Sequence, residues 1–318
     1  MGTELIFILG CGRSGSTLLE RVVHDAFDVT ALGEVTYVWE KGLLKNESCS
    51  CGLPFRDCPF WSEVIRDAFG QVTEEEARRF DLAFQFARGR LTDLGSISGR
   101  SSRTDAVFIE VATALYRSAA KLGGNRPILD SSKSPAFAAM VHGLDLGALG
   151  GLHIFRDACG NVQSLRTPKR RPQASAAGDT QLHPSRSVLH AIGRWSVLNW
   201  EARQLASRIG EACATISYES LCENLDQHLG AIQSTFDLSP RRGSSGESWH
   251  SVSGNPMRFD HEGTRVRLDD QWKATMRTSD RIITRALTAL QQLALESAAQ
   301  SWLQQDVSPP PLKSRMAA

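Results

Sequence analysis

Four short stretches carry residue types that could hold and activate an anion. The first is LIFILGCGRSGSTLLE, Leu5 to Glu20. An apolar run enters a loop with Gly10, Gly12 and Gly15, and Ser16-Thr17-Leu18-Leu19 opens a helix. A strand, a glycine-rich turn and a helix start present backbone N–H groups to an anion, and the helix dipole adds to the attraction. Against the phosphate-binding pattern G-x-x-x-x-G-K-[ST], Gly10 and Gly15 are in register and Thr17 fills the Ser/Thr slot. Ser16 occupies the lysine slot, and the cation is Arg13. That shift weakens an ATPase reading, in which lysine reaches the β and γ phosphates and the hydroxyl holds magnesium, but leaves anion binding intact. The plain alternative is an ordinary glycine turn. The second stretch is Asp130-Ser131-Ser132-Lys133-Ser134-Pro135, the third Arg156-Asp157 with Ser164 eight residues after the arginine, and the fourth Tyr218-Glu219. Each follows a strand end, the side on which parallel α/β sheets place ligands.

Taken together and in this order, these stretches resemble the sulfotransferases that use 3′-phosphoadenosine 5′-phosphosulfate (PAPS) as donor. Arg13-Ser14-Gly15-Ser16-Thr17 looks like that family's 5′-phosphosulfate loop. Arg156 and Ser164 look like its 3′-phosphate segment. Tyr218-Glu219 resembles its Tyr-Glu-Asp signature near the adenine, with Ser220 in place of the acid. Gly33-Glu34 and the stretch from Asp130 to Pro135 bring the likeness closest to the bacterial and tyrosylprotein-type branches. The resemblance implies a lysine, Lys133, near the bridging oxygen of the donor, where it stabilises charge on the departing nucleotide; otherwise Lys133 is a solvated helix-cap residue. It implies that Arg156 clamps a phosphate through its forked donors, against the alternative of a surface partner for Asp157. It makes Glu34 the base for the acceptor proton, with capping of the next helix as the rival role. His142, His153 and His250 are spare bases, and His153 reads as a core histidine in a buried strand. It also places Gly254, Asn255 and Arg258 at the 3′-phosphate. The implied catalytic set is Glu34, Lys133 and Arg13, with no metal, and the implied product is 3′,5′-adenosine bisphosphate. The acceptor would be a hydroxyl or amine of a small molecule, glycan or lipid. Two other functions fit the opening loop: a P-loop nucleotide kinase or phosphotransferase, and a nucleotide-binding module without turnover.

Cys49-Ser50-Cys51-Gly52 and Cys58-Pro59-Phe60-Trp61 form a tight cysteine cluster. Three thiols fall one short of a four-ligand zinc site, so a disulfide between neighbours or three structural thiols is the expectation. Lys169, Arg170 and Arg171 sit in a long loop and read as a solvated stretch or a lid over an anionic site.

The elements that must position these residues alternate. Glu4 to Leu9, Pro127 to Leu129, Gly151 to Phe155 and Ala212 to Ser217 read as strands; Thr17 to Asp25, Glu74 to Arg90 and Asp105 to Leu122 read as helices, the last two opened by Thr73 and Thr104. Ser134-Pro135 suits a further helix start. This predicts an α/β fold with a P-loop-like central parallel sheet and helices on both faces. Thr167 to Arg186 and Arg241 to Asp270 lack periodicity and are long for connections within one domain. Residues 1–307 read as a single domain and 308–318 as a tail. Thirty-six basic residues against 35 acidic give a net charge of +1, which argues against a general nucleic-acid binder. The apolar start is too short to span a membrane and lacks a signal-peptide pattern. Seven cysteines, an odd number, argue against a disulfide framework and for a cytoplasmic setting.

Overall fold

The strand Leu5–Leu9 (β1) is apolar at every position because it is covered on both faces. Leu5, Phe7 and Leu9 enter one core, and Ile6 and Ile8 the other. In the computed structural model, which describes residues 4–89, 103–167, 186–209, 212–241, 249–259 and 266–305, β1 is the centre of a five-stranded sheet. The other strands are β2 (Thr30–Gly33), β3 (Ile128–Lys133), β4 (Leu149–Phe155) and β5 (Cys213–Ser217), in the order β2-β3-β1-β4-β5. Every pairing is parallel. The fold is therefore α/β, with helices covering both faces of a parallel sheet, as the alternation predicted.

One core packs against α2 (Pro59–Phe69), α3 (Glu74–Gly89), α4 (Arg103–Leu122) and α5 (Pro135–His142). The other packs against α1 (Ser16–Ala26) and α9 (Leu225–Phe236). Between α5 and α9 lie α6 (Ala158–Arg166), α7 (Val188–Ile209) and the short α8 (Tyr218–Glu223). After α9 come α10 (Trp272–Thr275) and α11 (Thr278–Gln304), the latter packing on β5, α6 and α7.

Helix starts are fixed by local chemistry. Thr73 and Glu76 form a reciprocal cap on α3: Thr73 Oγ1 accepts from the Glu76 N–H at 3.2 Å, and Glu76 Oε2 from the Thr73 N–H at 2.9 Å. Thr104 does not play that part, since α4 already begins at Arg103. Ser134 caps α5 ahead of Pro135, and Asp157 caps α6 through the N–H groups of Cys159 and Gly160. Ser217 caps α8. Strand β3 runs four residues beyond its apolar part, through Asp-Ser-Ser to Lys133, because its neighbours β1 and β2 pair with it on both sides. The segments around Lys169–Arg171 and Ser308–Ala318 lie outside the described residues. Among the described residues no helix is long and apolar enough to cross a membrane.

Candidate active site

The strand order sets the site out along one edge. From β2 to β5, the residues at the strand ends are Glu34, Lys133, the loop from Gly10 to Gly15, Arg156 and Tyr218. Chain direction across the sheet reverses about β1, the switch point at which open parallel sheets form a crevice. A cleft of about 870 Å³ opens there. Arg13, Gly15, Ser16, Thr17, Glu34, Lys133, Arg156, Ser164, Tyr218, Gly254 and Asn255 all line it. Ser14 and Arg258 do not.

The glycine loop is held from behind. Gly10 has φ +134°, and a Cβ there would meet the Ile154 carbonyl oxygen at 2.3 Å. Gly15 precedes α1 at φ +91°, and a Cβ would run into the Tyr218 ring. Asn161 of α6 donates to the Gly12 carbonyl and to Ser14 Oγ, both at 3.0 Å. Ser14 is thus a fully buried brace of the loop. Asn161 escaped the sequence reading; the available signal was a polar residue on the buried face of a helix that begins just after Arg156.

Arg13 donates from Nε to Ser164 Oγ at 3.2 Å. Burial and the nearby Arg156 guanidinium both lower its pKa, yet an arginine stays charged. Two guanidinium groups that repel each other at one end of a cleft favour an anion between them. Arg156 is itself buried, pairs with Asp269 through the Asp269 backbone oxygen and carboxylate, and lies over the Tyr218 ring. Its Nε is buried and has no hydrogen-bond partner among the described residues. Tyr218 OH donates to the Arg267 carbonyl and accepts from the Asp269 N–H, which shapes this end of the cleft.

The other end is built around a carboxylate and two lysines. Lys133, the last residue of β3 with φ +65°, is ion-paired to Glu34. Lys41, which follows β2 on a π-helical turn (Val38–Leu44), donates to Ser253 Oγ at 2.7 Å, and Ser253 Oγ donates to Glu34 Oε2 at 3.4 Å. Burial alone would raise the Glu34 carboxyl, but Lys133, Lys41 and Arg258 hold it below the usual value. Lys41 is pushed the other way, down, by its own burial. Lys41 Nζ and the Arg88 guanidinium both lie over the Tyr37 ring, at 3.9 and 4.4 Å from its centroid. Tyr37, Lys41, Arg88 and Ser253 line the cleft and were not read from the sequence.

Gly254 and Asn255 stand against Thr17 and Glu34, and the Asn255 N–H reaches Thr17 Oγ1 at 3.4 Å. The resemblance implied a place at the 3′-phosphate; the fold puts them at the Glu34 end. Arg258 is fully buried behind Gly254 and donates to the Ser48 carbonyl at 2.9 Å. It acts on Glu34 by charge rather than from the cleft wall. Of the spare histidines, His153 is a core residue bonded to Asn199, with its pKa pushed down to about 4 by burial. His142 is exposed at the end of α5, and His250 packs among cysteines away from the cleft.

Comparison of the chain with protein-family models and with curated proteins finds no match.

Proposed function

We propose that the protein is a sulfotransferase that moves a sulfuryl group from PAPS to a hydroxyl or amine. The observation that carries this reading is the division of one cleft into two chemistries. Arg13, Arg156 and Ser164 gather at the β4 side, while a Glu34–Lys133 pair closes the β2–β3 side, with the glycine loop between them. A nucleotide with phosphate groups at both ends of its ribose fits such an arrangement. Arg13 and Arg156 both line the cleft, and a guanidinium offers an anion several donors at once. In the proposed reaction the bond from sulfur to the bridging oxygen breaks as sulfur bonds the acceptor oxygen or nitrogen. The acceptor proton passes to Glu34, and Lys133 offsets the charge left on the bisphosphate.

The kinase alternative needs a magnesium site beside Thr17. Here Thr17 Oγ1 accepts from the Asn255 N–H. Asp130, the carboxylate near the end of β3, is fully buried, accepts from Ser132 N–H at 2.7 Å and pairs with the Tyr116 hydroxyl. Asp130 is therefore not turned to a metal beside Thr17 in the cleft. The acceptor on this reading is a small molecule, glycan or lipid headgroup, and the setting is cytoplasmic, where the donor is made.

Thermal denaturation with nucleotides tests the reading. A ligand that binds only the folded chain raises the melting temperature with occupancy. The expected result is protection by 3′,5′-adenosine bisphosphate and much less by ATP with magnesium. Better protection by ATP would overturn the assignment and restore the kinase.

A further inference from the structure

We propose that Cys49, Cys51, Cys58 and His250 bind one zinc ion that ties the segment Trp249–Phe259 to the rest of the fold. The three cysteines alone are one ligand short. Folding supplies the fourth from far along the chain: His250 Nδ1 comes to 3.2 Å from Cys58 Sγ and 3.9 Å from Cys49 Sγ. All four donor atoms lie within 4.8 Å of one another. A tetrahedral zinc with bonds of about 2.3 Å to sulfur and about 2.0 Å to nitrogen spaces its donors roughly 3.5–3.8 Å apart. The cluster is therefore close to the size a zinc ion imposes.

The surroundings hold the four side chains in place. The turn that spaces the first two is closed by the Gly52 N–H on the Cys49 carbonyl at 2.9 Å, inside a small loop pinned by the Ser48–Pro54 bridge. The imidazole is fixed as firmly: its ring stacks on Phe60 at 5.3 Å, and its own carbonyl accepts from Trp61 Nε1 at 2.5 Å. Ser50, fully buried, accepts from the Ser251 N–H at 2.7 Å and donates to the Trp249 carbonyl at 2.5 Å. Three thiolates and one imidazole are soft donors that select zinc over magnesium or calcium. Four protein ligands leave no open position, which marks a structural ion rather than a catalytic one. On binding, each thiol gives its proton to solvent and each sulfur gives a lone pair to the metal.

The site has a purpose in this fold. Two residues beyond His250, Val252 donates to the Leu32 carbonyl at 2.9 Å and accepts from the Glu34 N–H at 2.8 Å. Ser253, Gly254 and Asn255 follow directly along the cleft wall. The ion would anchor the segment that sets the Glu34 end of the cleft.

Metal analysis of the reduced, purified chain tests this without any activity assay. The expected content is about one zinc per chain. Replacement by cobalt(II) should give the visible bands of a tetrahedral thiolate site. Removal by a chelator should lower the melting temperature, and added zinc should restore it. His250→Ala and Cys51→Ser should lose most of the zinc, while His250→Cys, which makes a four-sulfur set, and Cys213→Ser, on β5, should keep it. Should the variants fail to fold, the cobalt spectrum and chelator response of the unaltered chain still decide. A chain that takes up neither zinc nor cobalt after reduction overturns the proposal. So does a disulfide joining two of Cys49, Cys51 and Cys58 in a peptide map of the chain before reduction.

Discussion

At the scale of single residues, Glu34 and Lys133 constrain each other. Their ion pair keeps the carboxylate charged, which a base needs, and lowers its basicity, which a base does not need. In the proposed reaction the pair must loosen as donor and acceptor enter, Lys133 turning to the nucleotide and Glu34 to the acceptor. Glu34→Gln keeps the size of the side chain but cannot take a proton. Its turnover should fall ~10²–10⁴-fold, the range for a lost general base. Protection by the bisphosphate should persist, and the acidic limb of the pH–rate curve should vanish. Unchanged turnover would remove Glu34 from the mechanism. In Lys133→Ala the residual activity should show the acidic limb moved to higher pH, because the cation that lowers the Glu34 carboxyl is gone. Turnover should drop far more than bisphosphate affinity. A variant defective only in binding the bisphosphate would make Lys133 a binding residue.

At the scale of elements, the pattern is a strand end followed by a capped helix start: Lys133 before the Ser134 cap, Arg156 before the Asp157 cap, Tyr218 after the Ser217 cap. That pattern is local, so it was legible in the sequence. Strand β2 was not, because four residues, Thr-Ala-Leu-Gly, carry no periodicity, and β3 holds them in place from elsewhere in the chain. Asn161, Lys41 and His250 were illegible as partners for a related reason: each meets its target across long stretches of chain. The glycine loop gives a sharp test of local geometry. Gly12 has no atom within 4 Å of where a Cβ would stand and no positive φ, whereas Gly10 faces the rigid β4 backbone at 2.3 Å. Gly12→Ala should therefore fold and melt as the unaltered chain does. Gly10→Ala must displace a strand or distort the loop, and should melt at a clearly lower temperature and lose bisphosphate protection. Equal behaviour of the two variants in both measurements would show that the loop does not have this conformation.

At the scale of the whole molecule, one buried carboxylate joins parts that are distant in sequence. Glu20 of α1 accepts from the Gly33 N–H at 2.7 Å, from Ser131 Oγ at 2.8 Å and from Ser251 Oγ at 3.5 Å. It thereby links the glycine-loop helix, β2, β3 and the segment that carries His250. Complete burial raises its pKa to about 7, against a lowering by the Ser131 and Gly33 hydrogen bonds and by Lys133; Asp130 adds a small push upward. Such a group holds its proton more tightly when folded than when unfolded. Its contribution to stability is complete below the unfolded value of 4.5, declines as pH rises, and is gone above about 7. The total change is on the order of 3 kcal/mol, from 1.36 kcal/mol per pKa unit. Other carboxylates shape the same curve, so the comparison with Glu20→Gln isolates this one. The amide cannot titrate, and it keeps an oxygen to accept one of the three hydrogen bonds. At pH 5 the variant should be the less stable chain, since it loses acceptors that the protonated acid retains. Toward pH 8 the unaltered chain should lose its advantage by roughly the 3 kcal/mol derived from the shift. Urea unfolding of both chains at several pH values between 5 and 8 reads the difference directly. A stability gap that stays constant across that range would mean that Glu20 is ionised throughout, and that the three hydrogen bonds outweigh its burial.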